Sequence, residues 1–161
     1  MSVLSRDQVM RWLSEVPDPE IPVLTITDLG IVRDVLVNDG VTVALTPTYT
    51  GCPATEVIEK SVVDALHNHG VEHVSIDRVL SPPWTTDWIS AEGREKLREY
   101  GIAPPEKNTS KRGLLHGEKA VRCPRCASAD TQLVSEFGST ACKASYKCKA
   151  CLEPFEYFKC L

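Results

Sequence analysis

Hydrophobic residues follow a helical period at the start of the chain and a strand period soon after it. The apolar face of the first predicted helix consists of Val9, Trp12, Leu13 and Val16. Ser5 precedes this face in the position of an N-cap. Residues 31–37 and 41–45 alternate apolar and polar positions on either side of an Asn-Asp-Gly turn. The chain therefore predicts a helix followed by a β-hairpin.

A second helix is predicted over residues 53–69, because Pro53 suits its first turn and Gly70 suits its C-terminal stop. Its predicted buried stripe comprises Ala54, Val57, Ile58, Val62, Ala65 and Leu66. Residues 71–80 then predict a third strand, and residues 90–100 a last helix. This order predicts an α/β (α+β) fold, in which helices pack on a small mixed sheet.

The pattern changes after residue 102. Residues 103–121 carry Pro, Gly, Ser and scattered charges without apolar periodicity, which predicts a linker. Residues 122–161 carry most of the cysteines. We therefore expect an α/β domain over residues 1–102, a linker over 103–121 and a small metal-stapled β zinc ribbon over 122–161.

The predicted ribbon contains two Cys-x-x-Cys hooks. Their cysteines are Cys123, Cys126, Cys148 and Cys151. Each hook aims two thiols at one point, and a tetrahedral Zn²⁺ takes four thiolates. A segment of about forty residues is too small to fold without such a staple, so zinc binding is expected to contribute to its folding free energy.

Two cysteines of the tail remain outside these hooks. Cys142 and Cys160 suit simple packing in the ribbon core. However, Cys142 together with the second hook comes within one residue of a plant-ferredoxin spacing. An iron–sulfur cluster with a different ligand set therefore stays open as an alternative to zinc.

Charge and composition narrow the functional classes. The net charge is −4: residues 1–100 hold 8 Lys/Arg against 16 Asp/Glu, and residues 101–161 hold 10 against 6. Four zinc-bound thiolates would lower the charge of the tail to about +2, which argues against a nucleic-acid partner. The sequence shows no bilayer-spanning apolar run and no signal-peptide pattern. Seven cysteines, an odd number, also argue against a disulfide framework, so we expect a cytoplasmic protein with no membrane partner.

A candidate reactive cysteine lies between the hairpin and the second helix. Gly51 predicts a turn, and Cys52 follows it at the start of the helix. The helix dipole and free backbone N–H groups there favour a thiolate, which binds metal and acts as a nucleophile. Thr48 is placed to orient that thiolate. A small buried cysteine that only packs under the sheet is the alternative.

Three carboxylates are further candidates. Asp18 and Glu20 occupy a turn bracketed by prolines, where they would bind a metal or act as acid and base. A turn with solvated charges is the structural alternative. Asp28, before Leu29-Gly30, is expected to cap a turn in the same way.

The histidines and tryptophans are weaker candidates for a functional site than the cysteines and carboxylates. His67 and His69 lie at a helix end and, being two residues apart, face different directions. Together with His73 they would still lack a fourth ligand, so we do not expect a histidine metal site. Trp84 and Trp88 are expected to cover a sheet edge, with a pocket or a partner surface as the alternative.

Three segments of the chain resemble the small α/β family of iron–sulfur assembly proteins that includes the bacterial SufT. The segments are Asp18-Pro19-Glu20-Ile21-Pro22, Thr27-Asp28-Leu29-Gly30-Ile31-Val32 and Gly51-Cys52-Pro53. The resemblance covers about residues 5–102. With the tail that ends in Glu153-Pro154-Phe155-Glu156-Tyr157-Phe158-Lys159-Cys160, the whole chain resembles the PaaD family of phenylacetate-degradation proteins.

The resemblance implies a non-catalytic role in aerobic phenylacetate breakdown, where a multicomponent oxygenase epoxidises the ring of phenylacetyl-CoA. The implied partners are the epoxidase subunits, either the iron–sulfur reductase or the di-iron oxygenase. The implied site residues are Asp18, Glu20, Asp28, Thr48 and Cys52. Cys52 would hold a transient iron–sulfur cluster or iron, and a homodimer would let two Cys52 thiolates bridge one cluster.

Three functions follow from these observations. The first is an accessory protein that assembles or repairs an iron or iron–sulfur centre of the epoxidase. The second is a docking subunit of the oxygenase that transfers no metal. The third is a thiol enzyme with Cys52 as nucleophile, which is opposed by the lack of a histidine in a suitable base position.

Overall fold

The computed structural model describes residues 3–49, 51–105 and 121–158. The chain forms two compact units that divide between Ser90 and Ala91. This division by contacts differs from the predicted domain limits of 1–102, 103–121 and 122–161. The predicted limits describe segments that fold independently. A division into compact units does not test independent folding, so the limits stay predictions.

The first unit begins with helix α1, Arg6–Leu13. The Ser5 hydroxyl accepts a hydrogen bond from the Gln8 amide at 3.2 Å, which is the predicted N-cap. Val9 and Leu13 are completely buried. The apolar spacing of the sequence thus becomes one buried helix face, as expected.

A small mixed sheet forms the centre of the first unit. Strands β1, Val32–Val37, and β2, Val41–Leu45, pair antiparallel as the predicted hairpin. Strand β3, Val74–Arg78, pairs parallel to β2 and is shorter at both ends than the predicted residues 71–80. Helix α2, Ala54–Asn68, connects these two parallel strands. Because parallel strands need such a crossover, the helix and the sheet define the predicted fold class together.

The buried stripe of α2 is narrower than predicted. Ala54, Ile58, Val62 and Leu66 are buried, whereas Val57 is 51% exposed. Buried positions spaced by four residues define a line along the helix, and position 57 lies beside that line. The inclusion of Val57 in the core was therefore wrong.

The second unit contains helix α3, Ala91–Tyr100, and the strands of the ribbon. The strands are β4, Ile102–Ala103; β5, Thr131–Ser135; β6, Lys143–Cys148; and β7, Pro154–Phe158. Their order in the sheet is β4-β7-β6-β5. Neighbours pair antiparallel except β4, which pairs parallel to β7.

The core of this second unit includes residues from the segment before the ribbon. Ala103 of β4 clusters with Cys123, Cys148 and Phe155, and all four are buried. The sequence did not predict β4, which spans the expected boundary between the α/β domain and the linker. Within the described residues, no helix is both long enough and apolar enough to span a membrane.

Candidate functional site

The two cysteine hooks converge on one point in the second unit. The Sγ atoms of Cys123, Cys126, Cys148 and Cys151 all lie within 4.8 Å of one another. Cys123 Sγ lies 3.7 Å from Cys151 Sγ, and Cys126 Sγ lies 3.5 Å from Cys148 Sγ. A tetrahedral zinc ion with Zn–S distances of about 2.3 Å requires S–S distances of about 3.8 Å. The four thiols therefore fit a tetrahedral metal ion, as predicted.

Each hook is shaped by its own backbone. The Ala127 amide donates to the Cys123 carbonyl at 2.9 Å, and the Cys151 amide donates to Cys148 Sγ at 3.5 Å. In both hooks the first cysteine is buried and the second is exposed. The ion would consequently lie at the edge of the ribbon core, held between an inner and an outer pair of thiols.

The surroundings of the cluster favour the thiolate form at Cys148 and the protonated thiol at Cys151. The amides of Cys151 and Ala150 and the Cys126 thiol lower the pKa of Cys148 to about 7. The Glu153 amide acts in the same direction on Cys151, but partial desolvation and the neighbouring thiols outweigh it and raise the pKa of Cys151 to about 12. Four adjacent thiols cannot all ionise without a cation, and a bound metal supplies that charge.

The remaining tail cysteines lie apart from this metal centre or outside the described residues. Cys142 is buried, and its Sγ lies 2.9 Å from the Thr140 hydroxyl. It does not belong to the group of four. Cys160 falls outside the part of the chain that the structure describes. The ferredoxin-like ligand set that includes Cys142 is therefore not the set that the fold brings together.

Cys52 lies in the first unit, between the end of β2 and the start of α2. Gly51 has a φ of 81°, which glycine adopts without strain and which turns the chain toward the helix. The Cys52 side chain is partly buried, and the Thr48 hydroxyl points to its Sγ at 4.0 Å. Pro53 is the N-cap of α2 and makes no side-chain capping bond. The Thr55 amide in the first turn of α2 donates to the Cys52 carbonyl at 3.2 Å, so this turn begins directly at the cysteine.

Asp18 shapes the turn in which it lies. Its Oδ1 accepts hydrogen bonds from the Glu20 amide at 2.9 Å and from the Ile21 amide at 2.8 Å. The residue is only 7% exposed. The Asp18 carboxylate therefore stabilises the proline-bracketed turn by accepting two of its backbone hydrogen bonds.

Asp28 joins two loops of the first unit. Its Oδ2 accepts from the Thr25 amide at 3.1 Å, and its carbonyl accepts from the Ser90 amide at 2.8 Å. The Ser90 hydroxyl also donates to Asp28 Oδ1 at 3.4 Å. The predicted turn cap is confirmed, and it extends to a segment 62 residues later in the chain.

The tryptophan segment packs against the same turn. The buried Trp84 donates its indole N–H to the Leu29 carbonyl at 2.7 Å. The Arg33 guanidinium lies 3.8 Å from the ring centroid of Trp88. At Gly30, an added Cβ would lie 2.6 Å from the Trp88 carbonyl oxygen, so the backbone of the turn touches this segment directly. The two tryptophans thus cover the turn at residues 28–30 and the start of β1.

The structure brings only some of the candidate residues together. Across the described residues, no three ligating atoms drawn from Cys52 and the carboxylates of Asp18, Glu20 and Asp28 lie within 4.8 Å of one another. The histidines form no metal group there either, and His69 instead stacks on Trp12 with ring centroids 4.3 Å apart.

One buried polar residue, at the end of β2, was not identified from the sequence. Thr46 follows β2, is 1% exposed and has a hydroxyl without a hydrogen-bond partner among the described residues. The one sequence feature that could have indicated this residue is its place as a polar residue directly after the apolar strand β2. Such a position is usually solvated, so the feature did not suggest burial.

Comparison with known proteins agrees with this combination of fold and metal centre. Residues 6–76 match the family described as an iron–sulfur cluster assembly protein, and residues 107–159 match the PaaD zinc beta ribbon domain. The fold and the four-cysteine cluster thus define an iron–sulfur assembly-type α+β protein with a zinc ribbon. The chain belongs to the PaaD family, which combines these two parts.

Individual relatives cover either the whole chain or its first part. A protein of Escherichia coli (strain K12), named as a putative subunit of 1,2-phenylacetyl-CoA epoxidase, is 52% identical over 96% of this chain and 92% of its own length. An Fe–S protein maturation auxiliary factor of Porphyromonas gingivalis is 38% identical over 58% of this chain and 90% of its own. The crystal structure of a domain of unknown function, DUF59, from Bacillus anthracis has a TM-score of 0.54 at 27% identity and covers 57% of this chain and 90% of that one.

Proposed function

We propose that this protein assists the assembly or repair of an iron–sulfur or iron centre in a multicomponent epoxidase that acts on phenylacetyl-CoA. The observation that carries the proposal is the joining of two parts in one chain. One part is an assembly-type domain with a partly buried thiol at the start of α2, and the other is a four-cysteine ribbon. A relative with both parts is named as a subunit of such an epoxidase.

In this proposal Cys52 holds the iron or the cluster, which is cargo and not a resident cofactor. A single protein thiolate binds metal weakly, because most coordination positions are left to other ligands, and weak binding lets the cargo leave. The Thr48 hydroxyl, 4.0 Å from Sγ, orients the thiol. Asp18 or Glu20 serves as an oxygen ligand or proton acceptor, and Asp28 holds the adjoining loops in place. Two protomers with Cys52 side by side would bridge one cluster.

The ribbon has a different task in the same proposal. Its four thiols fill every coordination position of a tetrahedral zinc ion, so this site is structural and has no open position for catalysis. We therefore assign to it the docking of the client, which is the reductase or the di-iron subunit. The protein is then an accessory factor and not an enzyme. Its cysteine pattern suits the reducing cytoplasm, where we propose that it acts.

The proposal is tested by metal analysis of anaerobically purified protein. The wild type, Cys52→Ser and Cys142→Ala are compared for zinc, iron and acid-labile sulfide per chain. Cys142→Ala is the matched control, because this thiol lies outside the four-cysteine group. Each variant is also returned to cells that lack the native gene, and oxidation of phenylacetate is measured.

We expect about one zinc per chain in all three proteins, because no variant alters the ribbon ligands. Iron and sulfide should bind to the wild type and the control but not to Cys52→Ser, which should also fail to restore phenylacetate oxidation. If Cys52→Ser restores oxidation fully and only zinc is found in every sample, the metal-transfer role is wrong. The docking role without metal transfer would then remain.

A further inference from the structure

The four converging thiols include two close pairs that join one hook to the other. Cys126 Sγ lies 3.5 Å from Cys148 Sγ, and Cys123 Sγ lies 3.7 Å from Cys151 Sγ. A disulfide bond is about 2.05 Å long, so the two sulfur atoms of each pair would have to approach by about 1.5 Å to bond. The fold therefore holds each pair close to bonding distance.

Each of these pairs combines one exposed and one buried cysteine. Cys126 and Cys151 are exposed, whereas Cys123 is 2% exposed and Cys148 is completely buried. A small oxidant in solution therefore meets the outer thiolate of each pair first, and the inner thiolate lies beside it as a second nucleophile. An accessible thiolate next to a second cysteine is the usual arrangement of a cysteine that is oxidised reversibly.

We propose that the four-cysteine cluster is an oxidation site for peroxides. A peroxide would convert the cluster into two disulfides that join the hooks, Cys126–Cys148 and Cys123–Cys151. The metal is then released while the ribbon stays folded. This inference goes beyond the proposed function and does not depend on it.

Each disulfide forms in two steps that consume one molecule of hydrogen peroxide. The exposed thiolate attacks one peroxide oxygen, the O–O bond breaks, and a sulfenic acid and a hydroxide ion form. The buried thiolate then attacks the sulfenic sulfur, so that the S–S bond forms, the S–O bond breaks and a second hydroxide ion leaves. The two thiolates lose two electrons, which reduce the peroxide. Because thiolates and not disulfides are metal ligands, the oxidised cluster no longer binds a dication.

The lengths of the loops that would be closed favour pairing between the hooks. The members of the two close pairs are 22 and 28 positions apart, whereas the two cysteines of one hook are three positions apart. A crosslink between distant positions stabilises a fold more than one within a turn, because it removes more freedom from the unfolded chain. By thermodynamic reciprocity, the folded ribbon favours the same two crosslinks. The disulfides would thus replace the metal as the connection between the hooks.

The test uses the full-length Cys142→Ala protein, purified without oxygen and loaded with zinc. Trypsin cleaves after Lys and Arg, and Arg125 and Lys149 lie inside the hooks, so the four cysteines fall in four different peptides. Cys142 would share the peptide of residues 126–143 with Cys126, and its removal makes that linkage unambiguous. The wild type is treated in parallel, because its linkage between residues 123–125 and 150–159 can be read without the substitution.

One sample of each protein is treated with hydrogen peroxide, and a matched sample is treated with a zinc chelator in the absence of oxygen. Released zinc, the tryptic disulfide map and the circular dichroism of the strands are measured in both. We expect peroxide to release the zinc at about two peroxides per ion. The map should link residues 123–125 to 150–159 and residues 126–143 to 148–149.

The strand signal should persist in the oxidised sample and decrease in the chelated one, and a thiol reductant with added zinc should restore the oxidised protein. Disulfides within a hook or between other cysteines would overturn the inference, and so would oxidation to sulfinic acid without a disulfide. An equal loss of strand signal in the two samples would overturn it as well. None of these outcomes involves Cys52 or the epoxidase, so the proposed function is judged separately.

Discussion

Thr46 is a residue whose environment conflicts with its chemistry. Its amide donates to the Ile31 carbonyl at 2.9 Å, but its buried hydroxyl finds no partner among the described residues. Burying an unpaired hydroxyl costs about 1–3 kcal/mol. We therefore expect Thr46→Val, which keeps the shape and removes the hydroxyl, to raise the free energy of unfolding by about 1 kcal/mol, as measured by urea denaturation.

Thr48→Val is the control for this experiment, because the Thr48 hydroxyl does donate to Cys52 Sγ. It should not stabilise the protein. A Thr46→Val variant that is less stable than the wild type would show that the hydroxyl has a partner outside the described residues. If Thr46→Val is more stable but fails to support phenylacetate oxidation, the Thr46 hydroxyl is needed for function and not for stability.

Gly30 tests how closely the tryptophan segment packs on the turn that contains Asp28. Its φ is 72°, and an added Cβ would lie 2.6 Å from the Trp88 carbonyl oxygen and 2.8 Å from Trp88 Cβ. Gly30→Ala should lower the free energy of unfolding by about 3 kcal/mol, because backbone strain and overpacking add. Gly70 has a φ of 87° with open space around it, so Gly70→Ala should cost only about 1 kcal/mol. Equal losses in urea denaturation would contradict this account of Trp88.

For individual residues, the sequence predicted those features that depend on the spacing of neighbouring positions. The convergence of four thiols followed from two hooks, because two intervening residues already determine where each pair of thiols points. The bonds of Asp28 to Ser90 could not be predicted, since they join residues 62 positions apart. The burial of Thr46 depends in the same way on tertiary packing, and so does the exposure of Val57.

The elements of the chain show the same division between local and distant contacts. The hairpin of β1 and β2 was predicted because Asn-Asp-Gly and the alternation beside it are local signals. Strand β4 was missed, because two residues carry no periodicity and their partners in β7 lie 54 positions later. The first hundred residues therefore predicted their own elements well but did not indicate that Ile102–Ala103 would join the ribbon sheet.

The position of Ala103 makes the role of β4 testable. Ala103 clusters with Cys123 and Cys148, two of the four converging cysteines. Ala103→Glu would bury a charge beside them, so we expect zinc to be lost to a competing chelator at least about tenfold more readily. Ala129→Glu adds the same charge at an exposed position of the second unit and should retain zinc like the wild type. Equal zinc retention in both variants would show that β4 does not support the metal centre.

The whole molecule has two compact units, and within the described residues only the second contains the metal centre. Removing zinc with a strong chelator should therefore unfold the ribbon and leave the first unit folded. All three tryptophans, Trp12, Trp84 and Trp88, belong to the first unit. We expect tryptophan emission to stay unchanged while the circular dichroism of the strands decreases. Added zinc should restore the signal. A red shift of the emission on chelation would instead show that the two units unfold together.

The place of β7 has a consequence for how the protein is made. β7 lies between β4 and β6 in the sheet, yet among the described strands it is the last to leave the ribosome. The four converging cysteines all precede Pro154, so a growing chain presents a complete set of thiols before its sheet can close. A message that stops before Pro154 would encode all four converging cysteines but not β7, one of the two inner strands of the sheet. Termination between Cys151 and Pro154 would thus yield a thiol-rich chain that cannot complete its fold, although its metal-binding motif is intact.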